Sequence, residues 1–141
     1  MPYANEIRYA GQYCLLSTSQ LFDTGDVTFA VELGEDLWSP VAPSLGYALA
    51  GAQIIVNLSA CPEVLFKDRY RKDLLSQHSA RTHTGYVYAS AGFGESTTDS
   101  VYAGAASIWE NGDCLAQNER FCCESSLIIA DVDVERLSRL R

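Results

Sequence analysis

Residues 53–58 read QIIVNL, a short and almost wholly apolar run rich in β-branched side chains. A strand covered on both faces reads this way, and such strands belong to sheets flanked by helices. The neighbouring segments agree with that reading. Residues 27–33 alternate and predict a buried strand with Phe29, Val31 and Leu33 on one side. After the loop SPVAPS, Pro43 and Ser44 open a short helix over LGYALAGA. Lys67 to Arg81 places Tyr70, Leu74, Leu75 and His78 at helical spacing, which predicts an amphipathic helix.

A third strand is expected at Tyr86 to Ala91, then the polar loop GFGESTTD. Two strand-like runs flank Asn111-Gly112, a strong hairpin signal. Leu127 to Val134 reads as a last strand, and DVDVERLSRLR as a strand end followed by a salt-bridged helix start. Residues 1–22 are weakly patterned, with a short strand near Tyr13 to Leu16. The order strand, helix, strand, helix, strand and hairpin argues for an α/β layer with its sheet covered by helices. At 141 residues this is one domain able to bury a real core.

Charge and composition exclude several functions. A net charge of −8 argues against nucleic acid and anionic membrane as partners. No run approaches the ~18 apolar residues of a membrane span. The start MPYANEIRYAGQY lacks the basic and apolar blocks of a secretion signal. The cysteines (Cys14, Cys61, Cys114, Cys122, Cys123) form no C-x-x-C pair, which points to reduced thiols in a cytoplasmic protein and to no zinc site. His78 and His83 lack metal-binding spacing, so no metal is expected. The GFG word has the wrong spacing for a dinucleotide fingerprint and reads as a turn.

Two strand ends remain, and α/β sheets place their chemistry at the carboxyl ends of strands. LGEDLW (33–38) offers carboxylates, and NLSACP (57–62) offers a hydroxyl and the Cys61 thiol.

FAVELGEDLWSPVAPS, LAGAQIIVNLSACP and YVYASAGFGESTTD occur here in that order, followed by SIWENGDCLAQNERF and IIADVDVERL. Together they resemble the glutaminase domains of glutamine-dependent NAD synthetases, within the nitrilase (carbon–nitrogen hydrolase) superfamily. The likeness runs from about Phe22 to Arg141. It implies part of a four-layer αββα sandwich. It also implies a site in which a cysteine attacks the glutamine amide, a glutamate acts as general base and a lysine stabilises the oxyanion. The released ammonia then serves NAD biosynthesis in a separate synthetase domain that uses ATP and Mg.

The family's nucleophile position is occupied by Gly34, and glycine cannot form a thioester. By resemblance, Glu35 faces the α-ammonium group of glutamine, and Lys67 lies where a basic residue can face the substrate carboxylate. Cys61 replaces a serine that contacts substrate in the family, and Trp38 forms a pocket wall. The catalytic glutamate and lysine have no counterpart, since Lys67 and Lys72 are the two lysines of the chain and both come after Gly34. The chain therefore reads as the C-terminal half of such a domain, catalytically inactive as it stands. It is expected to need no cofactor of its own and to form a homo-oligomer. The alternatives are a non-enzymatic nitrilase-like module that acts by association, and another amidase of the superfamily.

Overall fold

A computed structural model describes residues 5–96 and 98–141; MPYA at the N-terminus and Thr97 of the GESTTD loop lie outside the described residues. The elements run β1 (Asn5–Tyr9), β2 (Gln12–Leu16), β3 (Phe22–Asp23) and β4 (Thr28–Leu33), then a 3₁₀ turn (Gly34–Trp38) and α1 (Pro43–Leu49). After them come β5 (Ile54–Ser59), α2 (Lys67–Thr82), β6 (Gly85–Ser90), β7 (Ala106–Glu110), β8 (Asp113–Gln117) and α3 (Val134–Arg139). One six-stranded sheet has the order β3-β4-β5-β6-β7-β8, and β1 and β2 form a separate hairpin. β4, β5 and β6 are parallel, with Val31, Val56 and Val87 in register, while β3, β7 and β8 flank them antiparallel. Asn111 and Gly112 (φ +47° and +96°) form the tight β7–β8 turn, as their sequence predicts.

Alternate side chains point to opposite faces of the sheet. On one face Ala30, Ile55, Tyr86 and Trp109 lie side by side, and the next row is Glu32, Asn57, Tyr88 and Ser107. This face is buried, and Leu37 of the 3₁₀ turn and Leu75 of α2 complete its apolar cluster. The opposite face carries Phe29, Val31, Leu33, Ile54, Val56 and Leu58, and it is open: Leu33 is 62% exposed and Leu58 54%. The expected burial of the Phe29, Val31 and Leu33 side is thus corrected, as is the expectation that β5 is covered on both faces. The helices dock where polar groups hold them, on the Glu32 side, and the opposite face is only partly covered among the described residues. Val132 does cover its lower end, where a Cβ on Gly85 would come 3.0 Å from the valine Cγ1.

The α1 contact shows how that choice is made. The residue before the helix is Ala42, which has no side chain to cap it. The carboxylate of Glu32, only 1% exposed, takes over: Oε2 accepts from the Ser44 backbone N–H at 3.2 Å. Oε1 accepts from the Tyr86 hydroxyl and, at 3.4 Å, from Asn57 Nδ2. Burial and the neighbouring Glu32 carboxylate push the Tyr86 phenol far above its ordinary range, so it stays a donor.

Two other expectations change. α2 turns Arg71, Leu75, His78, Ser79 and Thr82 inward, with Leu74 packed half-buried against the core; of the expected Tyr70, Leu74, Leu75 and His78 stripe only Tyr70 is exposed, and His83 sits beyond the helix as its left-handed C-cap. The polar inward residues are tolerated because each is satisfied locally: Ser79 Oγ donates to the Thr84 carbonyl at 2.7 Å, and Arg71 meets Glu63 and Asp68. Leu127 to Val134 is not a strand; no neighbouring strand pairs with it among the described residues, and Leu127 and Ile129 are exposed. Its Asp133 instead caps α3, accepting from the Arg136 N–H at 2.8 Å, and Glu135–Arg139 forms the expected salt bridge at 3.0 Å.

Replacing Glu32 by alanine strands three buried donors, at a cost of about 3 kcal/mol or more. Urea denaturation should show this loss; a midpoint within error of the parent chain would refute the capping role.

Candidate functional site

The site is built on the carboxyl ends of β4 and β5. β4 stops because Gly34 takes φ +44°, a left-handed conformation that strains any residue with a Cβ. The Asp36 carboxylate folds back and accepts from the Leu33 N–H at 2.9 Å, closing the turn, while Leu37 plugs the core. This arrangement turns Glu35 to the outside and leaves Trp38 half-buried against the core. Next door, the Ser59 hydroxyl accepts from the Cys61 N–H at 3.3 Å and curves the chain after β5. Lys67, at the start of α2, donates from Nζ to the Pro62 carbonyl at 2.6 Å and lies 5.3 Å above the Trp38 ring. Tyr70 also stacks on the indole, with centroids 5.5 Å apart.

These turns bring Glu35, Trp38, Ser39, Cys61 and Lys67 around one open cleft of about 500 Å³. The sequence names four of them, and Gly34 begins the turn that carries two. Ser39 and Tyr70 escaped the sequence reading. Ser39 had no motif to flag it, but Tyr70 is three residues after Lys67 on a helix, a spacing that places both on one face. A carboxylate and an ammonium on one apolar wall suit a small zwitterion. Trp38 Nε1 is buried and has no hydrogen-bond partner among the described residues. A Cβ built on Gly34 would meet nothing within 4 Å, so the elbow has room for a side chain that it does not carry.

The Cys61–Lys67 loop is held from behind by buried Arg71. Its guanidinium meets Glu63 Oε2 at 2.8 Å and Asp68 Oδ1 at 2.7 Å, with Arg120 at 3.4 Å from each carboxylate. The Arg71 guanidinium also stands 5.5 Å from the Tyr88 ring centre. Its own burial opposes the charge, but the paired carboxylates prevail and hold it above the usual arginine value.

A second constellation imitates a catalytic pair. Ser44 Oγ and His78 Nε2 are 2.8 Å apart and wholly buried. The other ring nitrogen, Nδ1, faces Arg81 Nη2 at 3.4 Å. A guanidinium can only donate, so Nδ1 accepts and the ring proton sits on Nε2. His78 therefore donates to Ser44 and cannot take its proton, as a nucleophile's base must. Burial, assisted by Arg81 and opposed by Glu32, pushes the His78 pKa below 6.5.

Elsewhere the GFG word is a turn, with the Glu95 N–H donating to the Gly92 carbonyl at 3.3 Å. No cluster of three or more His, Cys, Asp or Glu suited to a metal occurs among the described residues. No helix among them is long and apolar enough to cross a membrane.

No protein-family model matches the chain. Among solved structures, a carbon–nitrogen hydrolase from Helicobacter pylori G27 is similar over 83% of this chain and 44% of its own, with TM-score 0.68 at 16% identity. A glutamine-dependent NAD(+) synthetase from Cytophaga hutchinsonii is similar over 84% of this chain and 18% of its own, with TM-score 0.71 at 24% identity. The fold is thus that of the nitrilase-superfamily carbon–nitrogen hydrolases. The glutamine-dependent NAD(+) synthetase of Mycobacterium tuberculosis is 43% identical over 140 residues, which is 96% of this chain. The chain belongs to the glutamine-dependent NAD synthetase family, and it spans about a fifth (21%) of the length of that relative.

The His78 shift has a signed consequence. Below pH 6.5 the unfolded chain takes up the imidazole proton and the folded chain resists it, so stability is complete above that pH and falls as acid is added. The urea midpoint should drop between pH 7.5 and 5.5, and His78→Gln should shrink the drop; an equal drop in the variant would contradict the assignment. A serine-directed fluorophosphonate should leave Ser44 unlabelled, and labelling detected by peptide mass would show that the proton assignment is wrong.

Proposed function

We propose that this chain is the substrate-holding part of a glutamine amidohydrolase site that has lost its nucleophile, and that as it stands it does not hydrolyse the amide. The observation that carries the reading is the gathering of Glu35, Cys61, Lys67 and Trp38 at one cleft beside the Gly34 elbow. Glu35 accepts hydrogen bonds from the α-ammonium group of glutamine. Lys67 faces its carboxylate, and Trp38 packs along the methylenes. Cys61 lines the cleft, where the family has a serine.

Hydrolysis through a thioester needs a thiolate, a base to supply it and a fixed positive charge for the oxyanion. Gly34 provides no sulfur. No histidine lines the cleft, and the one lysine there, Lys67, is engaged with the Pro62 carbonyl and Trp38. In this reading the missing base and oxyanion partner belong to a segment other than this one. The amidation of the NAD precursor, with its ATP and Mg, belongs to a synthetase domain in the cytoplasm.

The test is a titration of the chain with L-glutamine, followed by calorimetry or by the fluorescence of Trp38, together with an ammonia assay. Binding without ammonia release is expected, with binding lost in Glu35→Ala. Gly34→Cys should remain inactive and lose about 1 kcal/mol of stability, because the left-handed backbone then carries a Cβ. Ammonia above the buffer background from either chain would overturn the inactive reading, and absence of glutamine binding would overturn the site.

The open sheet face favours a second reading, association between copies of the chain through Val31, Leu33, Val56 and Leu58. Size-exclusion chromatography with light scattering should show a dimer or larger species; a monodisperse monomer would rule this out.

A further inference from the structure

Outside the Glu35–Lys67 cleft, the chain after β8 forms a loop with two adjacent thiols. Asn118 Nδ2 pins its start to the Gly104 carbonyl at 2.7 Å and its end to Ser126 Oγ at 3.2 Å. The Phe121 N–H adds a bond to the Ala103 carbonyl at 2.7 Å. Between these pins stand Cys122 and Cys123, both free and both exposed. Neighbouring side chains on extended backbone point opposite ways. Here the backbone turns through Phe121, at φ +60°, and bends at Cys123–Glu124, and both cysteines line one cavity of about 240 Å³. The facing wall is bare because it is made by Gly92 and Gly104, so close that a Cβ on Gly104 would come 3.4 Å from the Gly92 Cα. Glu124 lines the same cavity, and no cation does.

We infer that Cys122 and Cys123 form a dithiol site that chelates a soft, thiophilic metal or metalloid centre such as trivalent arsenic. Two thiols held on one loop bind such a centre together, and the second bond forms at the high effective concentration set by the first. With an arylarsenic(III) oxide the step balances without an oxidant. Two As–S bonds replace the As=O bond and two S–H bonds, the two thiol protons leave with the oxide oxygen as one water, and arsenic stays trivalent. The remaining thiols serve as internal controls: Cys14 is in β2, Cys61 is in the Glu35–Lys67 cleft and Cys114 is in β8.

The experiment uses the reduced full chain and phenylarsine oxide, read by intact mass and peptide mapping. One adduct per chain on the Cys122–Cys123 peptide is expected. It should be removed by 2,3-dimercaptopropanol and not by an equimolar monothiol, a comparison that requires no variant. Cys122→Ser and Cys123→Ser should each weaken binding by on the order of a hundredfold, while Cys114→Ser leaves it intact. Unchanged circular dichroism of the two loop variants would separate this loss from unfolding. An adduct that survives in both loop variants, one that maps to another cysteine, or no adduct at all would overturn the proposal.

Discussion

The buried carboxylate of Glu32 ties the layers of this protein together. It lies near the carboxyl end of β4 and receives the first-turn N–H of α1, the amide of Asn57 on β5 and the phenol of Tyr86 on β6. A carboxylate removed from water is tolerated only when hydrogen bonds replace its hydration. Those bonds in turn fix which face of the sheet the helices cover. With α1 seated on Glu32, the 3₁₀ turn between them has one path, and Leu37 becomes part of the core. That path sets the position of Glu35 and Trp38 at the cleft.

The same choice exposes the other face. Apolar burial is the larger stabilising term in most domains, roughly 25 cal/mol per Å². Here the row of Phe29, Val31, Leu33, Ile54, Val56 and Leu58 keeps part of its apolar surface exposed.

The elbow at Gly34 holds the candidate cleft in shape through its backbone and its neighbours. The backbone remains left-handed, and the space where a side chain would stand is empty of neighbours. The surrounding groups are still held in place: Asp36 closes the turn, Lys67 rests on Trp38 and Arg71 braces the loop with two carboxylates. These contacts position the cleft without themselves having the look of reactive groups. The Ser44–His78 pair teaches the converse. Its 2.8 Å separation has the look of reactivity, but the cation on Nδ1 sets the tautomer that forbids it.

Much of this was legible in the sequence. The short β-branched run at 53–58, the Asn111-Gly112 turn and the proline at the start of α1 are local signals, set by steric limits on each residue, and they survived in the fold. The word LGEDLWSP located the site for a related reason: a strand must end before a left-handed residue, and the side chains just past that residue are presented at the strand's carboxyl end. What the sequence could not decide is whatever depends on partners distant along the chain. Alternation shows that β4 has two unlike faces, but only the Ser44, Asn57 and Tyr86 donors determine that the one with Glu32 goes inside. For the same reason α2 buries Arg71 and His78, which meet Glu63 and Ser44 from other segments as well as Asp68 and Arg81 of α2 itself. Leu127 to Val134, in contrast, has the pattern of a strand and stays unpaired, because pairing requires a free edge that tertiary structure did not place beside it.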